Sequence, residues 1–301
     1  MGAALLILAP IASGMAQGPA PSGRSGHVIA NETGVELFVA TENNDPTLRI
    51  SLPGHSAADG SIVVLFPEHV TAVRHGSTDG EQLYLWRSGS QGVKPQWRTV
   101  GRSLEYEREL AHDVHLLARA TLEDDGVRFH YELTNRSAVP FDMITAVTDP
   151  RMQGILHDER LERTYVHRAG ELELLASETP GRLTMPLEQW FPVRYLASVT
   201  WPVPKQLVDR RADGITYYNT SRAADLPFIA TRSTDGTWVV ASFAREAGNV
   251  WSNPELTCQH VDPQTSLAPG QRATLERKML IIRGSLEAAL NRAVRQRTSL
   301  R

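Results

Sequence analysis

"VHLLARATLEDDGVRFHYELTNRS", residues 114–137, decides the fold class. Two runs of alternating apolar and polar residues flank Asp124, Asp125 and Gly126. A period of two marks a strand with one buried face. Asp-Gly between two such runs favours a two-residue hairpin loop, because both positions tolerate positive φ. With Asp125-Gly126 as the loop, Leu122 pairs with Phe129, Ala120 with Tyr131 and Ala118 with Leu133 on an apolar face. Glu123 then opposes Arg128, Thr121 opposes His130 and Arg119 opposes Glu132, and two of these pairs carry opposite charges. One face packs on a core. The other meets solvent or lines a cleft.

The same reading extends along most of the chain. "GVELFVATEN", "PTLRISLPG" and "GSIVVLFPEHVTAVRHG" are short, β-branched runs broken by Gly, Pro, Asn or Asp. "LERTYVHRAGELELLAS" is expected to form a second hairpin turning near Ala169-Gly170, and "GTWVVASFAR" and "ATLERKMLIIRG" are strong strands. Residues 150–205 are less regular and rich in Pro and Trp. One helix closes the chain: Ser285 suits an N-cap, and Leu286, Ala289, Leu290, Ala293 and Val294 form an apolar stripe. Many strands, one good helix and closely spaced turns argue a β-sandwich.

The chain has 301 residues, a net charge of −3 and 41% hydrophobic residues, an ordinary globular balance. The near-neutral charge gives no basis for a nucleic-acid partner. Residues 1–16 read as a signal peptide cleaved after Ala16, with an apolar run too short to span a bilayer. Residues 17–27 read as a linker and 28–301 as a single β-sandwich domain. The expected location is therefore the periplasm or the outside of a bacterial cell. A single cysteine, Cys258, rules out an intramolecular disulfide.

The segment "GVRFHYELTNRSAVPFDM" (126–143) resembles a hallmark hairpin of galactose-mutarotase-like supersandwich domains. The run "VWSNPELTCQHVDPQTSLAPGQRATLERKMLIIRGSLEAAL" (250–290) and the segment "FIATRSTDGTWVVASF" (228–243) are similar to a group of exported bacterial proteins of that architecture. The resemblance implies an all-β fold, a galactose-mutarotase-like β-supersandwich with a short C-terminal helix. It also implies carbohydrate handling, as in aldose epimerases, carbohydrate-binding domains and polysaccharide lyases. In the epimerases a His and a carboxylate act as acid and base at the anomeric centre. The Asn-His motif and the G-x-x-x-E-P carboxylate motif of those enzymes have no counterpart here.

The chain has no HExxH or CxxC motif, no G-x-S-x-G elbow and no phosphate-binding Gly-rich loop, so neither a metal nor another cofactor is expected. In "CQHVDP" (258–263), alternation places Cys258, His260 and Asp262 on one strand face. A carboxylate beside a histidine orients the ring and raises its pKa, preparing a base. His130 and Glu132, about 7 Å apart as a two-residue step, form a second acid–base candidate. His260, His130, Glu132 and Asp262 are therefore the catalytic candidates. Arg119 and Arg163 are candidates for an anionic sugar group, and Trp190, Trp251, Asn249 and Asn253 for stacking and hydrogen bonding to sugar. The expected function is an exported carbohydrate-active protein with acid–base chemistry at a sugar carbon, epimerase- or lyase-like. The alternative is a non-catalytic carbohydrate-binding module or an envelope scaffold.

Overall fold

The computed structural model describes residues 24–40, 44–87, 93–177, 194–199, 208–210, 215–219 and 223–301. The expected signal peptide, Trp190 and most of the Pro/Trp-rich middle lie outside the described residues. Its first strands are β1 (Arg24–Ala30), β2 (Glu36–Ala40), β3 (Thr47–Ser51), β4 (Ser61–Arg74), β5 (Gly80–Leu85), β6 (Arg98–Val100) and β7 (Ser103–Glu109). There follow β8 (Val114–Glu123), β9 (Gly126–Asn135), β10 (Phe141–Met152), β11 (Thr164–Arg168), β12 (Glu171–Leu174), β13 (Arg194–Val199), β14 (Val208–Arg210) and β15 (Ile215–Asn219). The last are β16 (Phe228–Arg232), β17 (Trp238–Ala244), β18 (Val250–Ser252), β19 (His260–Val261), β20 (Gln264–Leu267) and β21 (Arg272–Arg283), before the helix α1 (Leu286–Gln296).

These strands form two large antiparallel sheets and a small one. One large sheet runs β1-β2-β3-β4-β10-β20, with β5 also paired to β4. The other runs β12-β11-β16-β17-β21-β9-β8-β7-β6. The small sheet, β14-β15-β13-β18-β19, contains the one parallel pair among the described strands, β13 with β15. A single buried cluster joins the large sheets face to face. It takes Ile62, Val64 and Val70 from β4, and Leu116, Ala118, Phe129 and Leu133 from β8 and β9. At its centre Phe66 meets Tyr131 and Phe129 with ring centroids 4.8 and 5.3 Å apart, contacts worth about 0.5–1.5 kcal/mol each beyond their burial.

α1 covers the outer face of the nine-stranded sheet. Ser285 is its N-cap, accepting from the Ala288 N–H at 3.2 Å, and Ala289 and Ala293 pack on Phe243, Leu280 and Ile282. Val294, placed in the apolar stripe by periodicity, is 45% exposed. The continuous run of β17 follows from this arrangement: Trp238 and Val240 face the sandwich core, while Val239, Ala241 and Phe243 face the helix. The second hairpin turns at Ala169-Gly170, where both residues have positive φ, as the turn chemistry requires.

The first hairpin corrects its expected register. The loop is Asp124-Asp125, and Glu123 pairs with Gly126, Leu122 with Val127, Ala120 with Phe129 and Arg119 with His130. The slip is two residues, so each side chain keeps its face and only the partners change. The reason lies in a neighbouring strand. A Cβ on Gly126 would stand 2.0 Å from the Met279 carbonyl oxygen of β21. Gly126 is there so that β21 can approach, and it is the first residue of β9.

Candidate functional site

The site is built around β10. Over most of its length β10 pairs regularly with β4, but Val147 pairs with His69 while Asp149 pairs with Leu65. Phe66, Pro67 and Glu68 therefore stand against Thr148 alone, a bulge of two extra residues. Pro67 has no N–H to give to a ladder, so a bulge is where a mid-strand proline is tolerated. The bulge sends Phe66 into the core and leaves the Glu68 side chain 28% exposed.

The segment before β19 runs beside the far half of β10. Met152 N–H donates to Leu256 O at 3.1 Å and Gln259 N–H to Pro150 O at 3.3 Å. That docking puts Cys258 and His260 against Asp149. His260 is 1% exposed. Its Nδ1 lies 3.0 Å from Asp262 Oδ2 and its Nε2 3.3 Å from Asp149 Oδ1. Trp251 of β18 stacks flat on the imidazole, with centroids 3.8 Å apart and planes 1° from parallel. The alternation expected for Cys258, His260 and Asp262 holds, and the potential ligand atoms of Cys258, His260 and Asp149 all lie within 4.8 Å of one another.

Two arginines hold the carboxylates. Arg277 reaches across the sandwich from β21, its Nη1 donating to Asp262 Oδ1 at 2.9 Å and to Thr148 O at 3.0 Å, and its Nη2 to Gln259 O at 2.8 Å. Arg151 Nε donates to Asp149 Oδ2 at 2.6 Å, and its Nη2 stands 3.6 Å from Glu68 Oε1. The Arg151 guanidinium also lies 5.6 Å from the centre of the Trp86 ring. Asp45, Tyr84, Lys94, Gln96, Glu107 and Arg108 line a cleft of about 520 Å³, and Glu68, Trp86 and Arg151 are not among its lining residues. Pockets for small ligands span about 300–1,000 Å³.

Burial and these charges set the protonation preferences. Burial pushes Glu68 up, Asp149 adds to it, and His260 and Arg151 oppose it, leaving its pKa at about 7. Burial alone lowers His260, but Cys258, Asp149 and Asp262 outweigh it and hold the imidazole well above its ordinary value. Burial raises Asp149 and Asp262 as well, yet His260 and Arg151 hold the first below the usual carboxylate range, and Arg277 and His260 the second. Burial raises the Cys258 thiol and lowers His69. A carboxyl group that titrates near neutrality can both take and give a proton at working pH.

Of the residues singled out in the sequence, the structure brings His260, Asp262 and Trp251 together. His130 does not join them. It bonds Glu276 at 3.0 Å, and Glu276 and Arg277 are consecutive on β21, so their side chains leave opposite faces of the sheet. His130 thus sits on the outer face, while Arg277 serves His260 from the inner one. Glu132 pairs with Arg272 at 3.3 Å and Arg119 with Glu105 at 2.7 Å, both apart from the site. Arg163 is spent on the backbone carbonyls of His157 and Arg232, each at 2.5 Å. Asn253 is buried and caps a turn, its Oδ1 accepting from the Leu256 N–H, and Asn249 accepts from its neighbour Val250. The residues missed are Glu68, Asp149, Arg151 and Arg277. One signal for Arg277 was present: it shares its parity with the buried Leu275 and Met279, where alternation calls for an apolar side chain.

The architecture is an all-β sandwich with, among the described residues, one short C-terminal α-helix. No family model and no curated protein matches the chain. Among solved structures it is similar to a galactose mutarotase related enzyme from Lactobacillus acidophilus, at 12% identity over 85% of this chain and 97% of that one, TM-score 0.48. It is similar also to an aldose epimerase homologue from C. elegans, at 12% identity over 86% of this chain and 99% of that one, TM-score 0.44. A third is an alpha-N-acetylgalactosaminidase from Bifidobacterium bifidum, at 10% identity, TM-score 0.49, where the match covers 89% of this chain and 38% of that protein. No helix among the described residues is long and apolar enough to cross a membrane.

Proposed function

We propose that the protein is a carbohydrate-active enzyme that moves a proton at a sugar carbon, with Glu68 as the group that carries it. The observation behind this reading is the placement of Glu68. It is a partly exposed carboxyl group held by Arg151 near the Trp86 ring, at the edge of a charged cluster in which Asp149, His260 and Arg277 are buried. Sugar recognition calls for that combination: a flat aromatic face for the ring, fixed polar donors, and a carboxyl group able to exchange protons. Arg151 keeps Glu68 in position, and Asp149, His260, Asp262 and Arg277 form the rigid floor beneath it. The cleft beside Tyr84 is of a size to take a sugar or a short oligosaccharide.

A glycan array followed by product analysis on each bound sugar tests the reading. Turnover of a bound glycan by the wild type, lowered about 10²- to 10⁴-fold in Glu68→Gln with binding retained, is the expected result. Binding without turnover in the wild type contradicts the enzyme reading and leaves a carbohydrate-binding module. No binding at all contradicts the carbohydrate reading.

A further inference from the structure

Two polar atoms at the floor of the site are buried and have no hydrogen-bond partner: His260 Nε2 and Asp149 Oδ1. They face each other at 3.3 Å without the alignment of a hydrogen bond. The Cys258 side chain is buried beside them, its sulfur within 4.8 Å of a ring nitrogen of His260 and of a carboxylate oxygen of Asp149. Burying such groups without a hydrogen bond costs on the order of 1–3 kcal/mol each, and either a proton shared between them or a bound ion removes that cost. We infer that Asp149, Cys258 and His260 bind a divalent transition ion of the zinc class.

The geometry carries the inference. Two donors about 2.0–2.1 Å from one ion at the tetrahedral angle stand about 3.3 Å apart, the separation found here. A thiolate at about 2.3 Å would stand roughly 3.5 Å from each of them, so the remaining gaps close by side-chain-scale movement. The supporting contacts match those of metal-binding histidines and carboxylates. Asp262 accepts from Nδ1 and is itself held by Arg277, which leaves Nε2 as the free lone pair. Arg151 engages the other oxygen of Asp149, Oδ2, and leaves Oδ1 open. One sulfur, one nitrogen and one oxygen donor suit an ion of borderline softness. Three protein ligands leave a fourth position, as in zinc sites that bind water or substrate. The competing occupant of Nε2 is a proton, in which case the ring is an imidazolium between two carboxylates.

The test uses the full chain. It is stripped with a chelator, dialysed, and titrated with Zn²⁺ and with Co²⁺ as a spectroscopic probe. One equivalent bound, a rise in Tm and a thiolate-to-cobalt charge-transfer band are expected. The band should vanish in Cys258→Ser. In Asp262→Asn, whose ligands are intact, affinity should fall about 10- to 100-fold. Less than a tenth of an equivalent bound, with no change in Tm, overturns the inference. So does a cobalt band that persists in Cys258→Ser, or a His260 ring that keeps both nitrogen protons by ¹⁵N NMR at saturating Zn²⁺. The NMR measurement is made on the wild type, so the inference stays testable if a variant fails to fold.

Discussion

Arg277 shows how much of this molecule hangs on single side chains. It is 1% exposed, lies among Phe129, Tyr131 and Met279, and directs its guanidinium to Asp262, to the Thr148 carbonyl of the opposite sheet and to the Gln259 carbonyl before β19. A buried pair like this is weak evidence of stabilisation, since desolvation offsets much of the attraction. Removing one partner is another matter, because the remaining charge is stranded. Arg277→Met is therefore expected to lower unfolding stability by about 3–5 kcal/mol, read from the urea midpoint at constant m-value. A loss under about 1 kcal/mol would show that Asp262 finds another partner. Glu68 differs in kind: burial raises its pKa to about 7 and makes its ionised form costly in the fold, so Glu68→Gln should be at least as stable as wild type above neutral pH while removing turnover.

At the level of elements, the β8–β9 hairpin separates what local sequence encodes from what it does not. The two faces were legible, because alternation alone sets them. The register was not, because Gly126 answers to the backbone of β21, about 150 residues further on. Gly126→Ala forces a Cβ onto a carbonyl oxygen that cannot move aside, and a loss of about 2–4 kcal/mol is expected by denaturation. Gly170→Ala, with nothing within 4 Å of the added carbon, should cost only about 1 kcal/mol. The same turn anchors α1. Asp125 pairs with Lys278 at 2.6 Å, accepts from Gln296 at 2.8 Å and faces Arg292 at 3.6 Å. Burial raises its pKa, but the Lys278 and Gln296 bonds prevail and lower it below the ordinary value. Its contribution is thus complete above the unfolded carboxylate value of about 4 and disappears as pH falls through the lower, folded value. Acid titration followed by circular dichroism should show wild type losing its stability advantage over Asp125→Asn below about pH 4; a constant difference down to pH 2 would contradict the anchor.

At the scale of the whole molecule, the site exists only because distant segments meet. His260, Asp262 and Trp251 fall within twelve residues and could be seen together in the sequence. Glu68, Asp149 and Arg277 come from three other strands, and the bulge in β4, the docking of the Cys258 segment on β10 and the reach of Arg277 across the core bring them in. No local pattern announces such convergence. Charged residues at apolar parity, Arg277 above all, are its one trace. The same convergence separates His130 from His260: one lies outside the nine-stranded sheet, and the other is reached from within. The most direct test compares turnover of a bound sugar in Glu68→Gln and His130→Gln under identical conditions. The account predicts a fall of about 10²-fold or more for Glu68→Gln and a change within about twofold for His130→Gln. A full loss in His130→Gln with Glu68→Gln near wild type would place the chemistry on the opposite face and contradict it.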